Sequence, residues 1–148
     1  MVHFYVAYEL AVIKKVNNLN QFYSGILAPD AYLRRKERSY SDRHTTHFIE
    51  TMEDLLSWQN NTIYFLNQYK CNSKKYFYTG YGIHILTDIY WEDLIYKPFR
   101  LSYAEERNIK ENVFLKSREE YLENIIMIDL WLYRNCKLKD ELWTYLCF

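Results

Sequence analysis

Glycine and proline are so scarce in this chain that a fold of many short strands joined by tight turns is disfavoured. Only 3 glycines and 2 prolines occur among the 148 residues, and these are the residue types that most often form turns between strands. Aromatic residues instead make up 19% of the sequence. A chain of this length is expected to bury one sizeable core. We therefore predict an all-α, single-domain helical bundle that covers residues 1–148.

Charge and cysteine content restrict the class of protein. Nineteen basic residues balance nineteen acidic ones, so no overall field attracts the chain to nucleic acid. Three cysteines without a C-x-x-C spacing are typical of a reducing compartment. The apolar N-terminal stretch has no basic region before it and is interrupted by Glu9, which disfavours a signal peptide and a membrane span. We expect a cytoplasmic protein without a nucleic-acid partner.

The spacing of apolar residues predicts where the helices lie. The first two are expected at residues 2–16 and 20–28. Pro29 should end the second helix by holding Ala28 in extended geometry. Residues 31–44 carry five basic and two acidic residues, which predicts an exposed basic loop with a charge of about +3. Further helices are predicted from Thr45 or Thr46 to about residue 69, from 75 to 96 with Pro98 at the exit, from 117 to 134 and, as an option, from 138 to 148.

Two glycines lie inside the helix predicted at residues 75–96. Gly80 and Gly82 should each destabilise that helix by about 1 kcal/mol relative to alanine. Glycine is expected inside a helix despite this cost where a neighbouring element leaves no space for a side chain. We therefore expect close packing of a neighbouring element against this part of the helix.

All four histidines of the chain precede residue 85, in segments that also hold carboxylates. His84 and Asp88 are four residues apart, so their side chains leave the same helix face with Cβ atoms about 5–6 Å apart. Asp30 follows Pro29 just past the end of the second predicted helix. Imidazole and carboxylate are ligands that zinc, manganese and iron accept. The first 88 residues therefore hold the candidate metal ligands.

Three motifs in a fixed order carry a resemblance to a known family. Tyr23-Ser-Gly-Ile-Leu-Ala-Pro-Asp30 is followed by Thr46-His47-Phe48 and then by Gly80-Tyr-Gly-Ile-His84-Ile-Leu-Thr-Asp88-Ile-Tyr-Trp91. With the opening His3-x-x-x-Ala7, this order resembles the zinc-dependent phospholipase C family and its small bacterial relatives. The resemblance covers about residues 1–95. It implies the helical bundle that this family shares with the single-strand-specific zinc nucleases.

The resemblance also implies a metal centre. One metal site would consist of Asp30, a histidine of the basic segment, His84 and Asp88. His3 would approach a neighbouring site that shares Asp88. No histidine follows Asp88, so a centre of one or two ions is expected. Zinc is the expected ion, with manganese or iron as alternatives.

Two histidines compete for one place in this ligand set. His47 matches the Thr-His-Phe context of the small relatives, whereas His44 has the shorter separation from Asp30. We favour His47. In a helical segment the two lie at positions i and i+3, so the other histidine is expected to support the ligand from outside.

A centre of this kind would support hydrolysis. A divalent ion with a coordination position open to solvent lowers the pKa of bound water toward neutrality, and either Asp30 or Asp88 would also orient that water. The expected substrate is a small-molecule or lipid phosphoester, because planar guanidinium groups pair well with phosphate oxygens. Four arginines are predicted to hold the phosphate: Arg34, Arg35, Arg38 and Arg43.

Other classes lack their motifs or rest on composition alone. The chain has no His-Asp dipeptide, no G-x-x-x-x-G-K-[ST] phosphate loop and no G-x-S-x-G nucleophile turn. The alternative is a non-catalytic helical protein with a structural metal or a tyrosine-rich surface that binds a partner, since the chain has 16 tyrosines. The sequence leaves the substrate, the native metal and the oligomeric state open.

Overall fold

The computed structural model describes residues 2–37, 39–51, 54–110 and 113–135, and every regular element in these ranges is a helix. This confirms the predicted all-α class, whereas the specific bundle type stays a prediction. No helix within the described ranges is long and apolar enough to cross a membrane. The elements in chain order are α1 (Val2–Ile13), α2 (Leu19–Leu27), a 3-10 helix (Pro29–Arg34), α3 (Tyr40–His47), α4 (Leu55–Tyr69), α5 (Lys75–Trp91), a π-helical turn (Glu92–Tyr96), α6 (Lys97–Glu106) and α7 (Val113–Asn135).

Helices α2 and α5 touch through their backbones at two glycines. A Cβ atom at Gly80 would collide with the carbonyl oxygen of Phe22, and a Cβ atom at Gly25 would collide with the backbone of α5. A Cβ atom at Gly82 would meet only a side chain, 2.6 Å from Cδ2 of Leu66 in α4. The predicted close packing at Gly80 and Gly82 is confirmed, with α2 packed against Gly80 and Leu66 of α4 packed against Gly82.

Two groups of buried apolar residues flank this crossing. The first joins α1 to α2, and the second joins α4 and α5 to the segment after α3. Trp58 of α4 is 1% exposed, and its indole Nε1 donates a hydrogen bond to the carbonyl oxygen of His47 over 2.5 Å. The second group therefore fixes the backbone at the end of α3. The buried members are Ala7, Ala11, Phe22, Tyr23 and Ile26 in the first group, and Ile49, Trp58, Ile85 and Ile89 in the second.

The prediction of a basic loop at residues 31–44 holds only for residues 35–37 and 39, which are exposed and not helical; helices occupy residues 31–34 and 40–44. A 3-10 helix begins directly at Pro29, so Ala28 keeps helical angles, φ −64° and ψ −40°, rather than the extended geometry that we predicted. Helix α3 then begins after Ser39, whose backbone N–H donates to the side chain of Asp42 over 2.8 Å. This Ser-x-x-Asp capping box stabilises a helix in a stretch that has no sustained apolar period.

The prediction of one continuous helix from Thr45 or Thr46 to residue 69 is also wrong. Helix α3 ends at His47, and Phe48 adopts left-handed angles with φ 60°. Helix α4 starts afresh at Leu55 after the N-cap residue Asp54, whose side chain accepts a hydrogen bond from the N–H of Ser57 over 2.9 Å. An apolar period that runs through both helices concealed this break.

The remaining predictions differ at the element ends. Helix α1 ends at Ile13 rather than residue 16, because Lys15 has φ 50°. Pro98 does not end the chain's helical path, since it lies in the first turn of α6, where a missing N–H is tolerated. Helix α7 contains the predicted residues 117–134 and begins earlier, at Val113. The optional helix at 138–148 lies outside the described residues.

Candidate metal centre

Three separate elements bring the predicted ligands together. Asp30 comes from the 3-10 helix, His47 is the last residue of α3, and His84 lies in the middle of α5. These three offer ligand atoms that all lie within 4.8 Å of one another. A second group that meets the same limit consists of His3, His84 and Asp88. The two groups share His84.

The ring orientation of His84 is set by the end of α2. Its Nδ1 lies 2.7 Å from the carbonyl oxygen of Ile26, which belongs to the last turn of α2, where carbonyl oxygens lack an N–H donor from within the helix. A carbonyl can only accept, so Nδ1 carries the hydrogen and Nε2 keeps its lone pair. That Nε2 is buried and has no hydrogen-bond partner among the described residues. His84 therefore has the tautomer that a metal ligand needs.

The ring of His47 is oriented in the same way by its neighbour. Its Nδ1 lies 2.9 Å from the hydroxyl of Thr46, and that hydroxyl donates to the carbonyl oxygen of Asp42 over 3.0 Å. The hydroxyl must therefore accept from Nδ1–H, which leaves the lone pair on Nε2. The Nε2 atom of His47 is also buried and makes no hydrogen bond within the described part of the chain.

Both Nε2 atoms face the two carboxylates at distances that suit ligands of one ion. His47 Nε2 lies 3.5 Å from Asp30 Oδ1 and 3.4 Å from Asp88 Oδ2. His84 Nε2 lies 3.7 Å from Asp30 Oδ2 and 4.0 Å from Asp88 Oδ2. These distances are too long for good hydrogen bonds. Ligand atoms of a tetrahedral ion at about 2.0–2.2 Å are separated by roughly 3.3–3.6 Å, so a small contraction would complete the site.

Asp88 uses its two oxygens in two directions. Oδ2 faces His47 and His84, whereas Oδ1 lies 2.8 Å from His3 Nε2. The ring of His3 stacks on that of His84 with centroids 4.0 Å apart and planes at 16°. This places His3 beside Asp88, where the family resemblance predicts a neighbouring site.

The protonation states favour ligand binding. Burial, together with the nearby His3, lowers the pKa of His84 to about 4, so its ring is neutral near pH 7. Burial tends to raise the pKa of Asp30 and of Asp88, but the neighbouring imidazoles outweigh it and hold both below the ordinary value. Neutral imidazole and ionised carboxylate are the forms that bind a cation.

Two further residues of α3 differ in their relation to the centre. Arg43 reaches it, with Nη2 3.4 Å from Asp88 Oδ2. His44 lies in the same helix but belongs to neither group of three candidate ligands. Of the two competing histidines, the structure brings His47 into the cluster.

The other predicted phosphate-binding arginines lie farther out. Arg34 is exposed and lines a surface depression together with Asp30. Arg35 is exposed, and its Nη1 is 3.8 Å from Asp42 Oδ1. Arg38 lies outside the described residues. Arg34 is thus placed to contact a molecule that approaches Asp30.

Glu92 is not among the residues that the sequence predicts for the centre. It lies one turn beyond Asp88, is only 8% exposed and forms an ion pair with Arg100. Burial raises the pKa of Glu92, although the charges of Arg100 and Arg43 oppose that rise. The repeat of four residues from His84 to Asp88 to Glu92 was the available signal. Glu92 begins a π-helical turn, a feature that often accompanies functional sites.

Comparisons with known proteins add no relative. No protein-family model matches the chain, no curated protein matches it, and no solved structure matches its fold. Function is therefore inferred from the candidate ligands alone. The resemblance to the zinc-dependent phospholipase C family stays a prediction carried by the motifs.

Proposed function

We propose that this protein is a metal-dependent hydrolase that acts on a phosphoester through a metal-activated water. One observation carries the proposal: the Nε2 atoms of His47 and His84 are buried without hydrogen-bond partners in the described ranges. Leaving a buried polar atom unpaired costs about 1–3 kcal/mol, and two such atoms converge here on two carboxylates. A cation bound between them would satisfy all four groups.

Asp30, His47, His84 and Asp88 would hold the ion. Two imidazole nitrogens and two carboxylates suit zinc, with manganese or iron as alternatives. A divalent ion bound there would acidify a coordinated water, the usual source of the nucleophile in metal-dependent phosphoester hydrolysis. The hydrogen bonds at Nδ1 of His47 and of His84 would hold each ring with its Nε2 directed at the ion.

Access to the centre is from the side of Asp30. Its side chain is 48% exposed, whereas those of Asp88, His84 and His47 are 15%, 3% and 0% exposed. Asp30 is therefore the carboxylate that meets incoming solvent, and it is positioned to orient a water and accept its proton. Asp88 serves mainly as a ligand in this proposal.

Cationic side chains at the rim would bind the phosphate. Arg43 borders the centre at Asp88, and Arg34 lies with Asp30 in the adjoining depression. Guanidinium groups pair with phosphate oxygens through two parallel hydrogen bonds. The substrate in this proposal is a small-molecule or lipid phosphoester whose phosphate lies between Arg34 and Arg43.

Hydrolysis of a chromogenic phosphodiester and of a chromogenic phosphomonoester tests the proposal. Activity should vanish with a chelator and return with zinc or manganese. Asp30→Asn should lower the rate by about 10²-fold or more, as expected for loss of a proton acceptor. Asp93→Asn removes an exposed acid of the π-helical turn and should leave the rate unchanged. Activity that is indifferent to chelator would contradict the proposal.

A second candidate function is non-catalytic partner binding, for which the surface of α7 is the specific observation. Met127, Trp131 and Ile126 of this helix are 64%, 63% and 58% exposed. Monomeric proteins rarely expose several large apolar side chains together. The centre would then hold a structural metal only. In that case metal would raise the thermal stability, no phosphoester would be hydrolysed, and Trp131→Ser would weaken any self-association seen by light scattering.

A further inference from the structure

One oxygen of the centre faces a guanidinium as well as the candidate ligand nitrogens. Arg43 Nη2 is 3.4 Å from Asp88 Oδ2, the same distance that separates His47 Nε2 from that oxygen. Asp88 Oδ2 is also the oxygen that faces His84 Nε2. A cation bound by the two imidazoles would therefore compete with the guanidinium of Arg43 for the same oxygen, Asp88 Oδ2.

Arg43 is held only loosely in this position. Charge-assisted hydrogen bonds are normally about 2.7–2.9 Å long, and the contact with Asp88 is 3.4 Å. The side chain is 43% exposed, and its buried Nε has no hydrogen-bond partner in the part of the chain that the structure describes. Arg43 lies one helical turn before His47, so its backbone is fixed while its guanidinium is free to shift.

We propose that Arg43 neutralises Asp88 in the metal-free protein and leaves that carboxylate when metal binds, which frees its guanidinium for the phosphate of the substrate. This inference rests on the proposed function, because it assigns Arg43 a role in the same centre. Repulsion between the ion and the guanidinium at Asp88 drives the exchange.

Loss of the guanidinium should change two affinities in opposite directions. Arg43→Met keeps the length of the side chain and removes its charge, so zinc should bind about tenfold more tightly, as expected when a nearby like charge is removed. Inorganic phosphate should bind the zinc-loaded variant about tenfold more weakly, because a charge-assisted contact is lost. If Arg43 had only a structural role, its loss would not change the affinities for zinc and for phosphate in opposite directions.

A matched control separates this effect from net charge. Lys36→Met removes one positive charge from an exposed position of the same segment, and it should change either affinity by less than about twofold, because exposed charges are screened.

The experiment is a zinc competition titration against a chromophoric chelator, followed by calorimetric titration of phosphate into each zinc-loaded variant. Circular dichroism checks that every variant is folded. Opposite shifts for Arg43→Met support the exchange. Zinc binding by Arg43→Met that equals or falls below that of the wild type overturns it, even if the wild type hydrolyses phosphoesters. Zinc binding with the predicted shifts but no hydrolysis by the wild type overturns only the proposed function. Absence of zinc binding in every variant contradicts both.

Discussion

Helix α5 buries a polar residue and glycines, whereas helix α7 exposes large apolar side chains. In α5 a histidine is buried, with His84 only 3% exposed, and a glycine lets α2 approach at Gly80. In α7 large apolar side chains face outward, with Met127 64% and Trp131 63% exposed. Burying a polar group is costly unless it has a partner, and the buried Nε2 of His84 has none among the described residues, which is the basis of the proposed metal centre. Apolar content alone, as in α7, does not show where a core lies.

The largest expected contrast is between two tryptophans. Trp58 is 1% exposed and bonds to the carbonyl of His47, so Trp58→Ala should lower the free energy of unfolding by about 4 kcal/mol. Trp131→Ala on α7 should lower it by about 0.5 kcal/mol or less. Urea unfolding of the two variants measures both values. Equal losses would mean that α7 is packed as tightly as α4, and the comparison would fail.

The second contrast lies within α5, at two glycines. Gly80→Ala would press a methyl group into the backbone of α2, so it should destabilise the protein by about 3 kcal/mol. Gly82→Ala meets only the flexible side chain of Leu66, and the gain in helix propensity of about 1 kcal/mol should offset that contact. Thermal unfolding of both variants checks this. A tolerated Gly80→Ala would show that α2 and α5 can separate without loss of the fold.

These contrasts show what the sequence could reveal. The glycines at 80 and 82 and the four-residue step from His84 to Asp88 predicted both the close helix approach and a shared ligand face. Asp30 was expected just past a helix end, and it lies in the 3-10 helix that follows α2. Such features are local, because spacing along one helix fixes which side chains share a face.

Other features depend on contacts that sequence spacing does not contain. Helix α3 was missed because its stability comes from the Ser39–Asp42 capping box rather than from an apolar face. Glu92 was missed because its burial depends on Arg100, a partner in another helix. The choice of His47 over His44 for the cluster depends on how α3 packs, which Trp58 fixes from α4.

A third prediction concerns pH and the buried imidazole of α5. The ordinary pKa of histidine is 6.5, and in the folded protein that of His84 is about 4. Between these values the unfolded chain binds more protons than the folded one, so stability falls as the pH is lowered. In metal-free protein the loss attributable to His84 should approach about 3 kcal/mol at pH 4.

Chelator-treated protein unfolded by urea at pH 7, 5.5 and 4 provides the measurement. The comparison variant His84→Gln removes the titrating group and should show a flatter profile over this range. If the free energy of unfolding changed equally with pH in the wild type and the variant, folding would not lower the pKa of His84.

The smallest expected effect is at the contact between α5 and α3. The hydroxyl of Tyr81 donates to the carbonyl oxygen of Thr46 over 2.6 Å, so Tyr81→Phe should cost about 1–2 kcal/mol by leaving that carbonyl unpaired. Tyr64 is 67% exposed, and Tyr64→Phe should leave stability unchanged. Urea unfolding of both variants measures the two changes in the free energy of unfolding. A neutral Tyr81→Phe would show that α3 is held to α5 without this bond.

The most direct test of the central claim is the metal content of untagged protein, measured by elemental analysis after loading with zinc, manganese or iron in turn and removal of free ion. The wild type and His44→Ala should each retain about one ion per chain or more, whereas His47→Ala and Asp88→Asn should lose it, because a tetrahedral site that loses one of its protein ligands binds far more weakly. Wild-type protein that retains no zinc, manganese or iron would contradict the account, as would loss of the ion from His44→Ala with retention in His47→Ala.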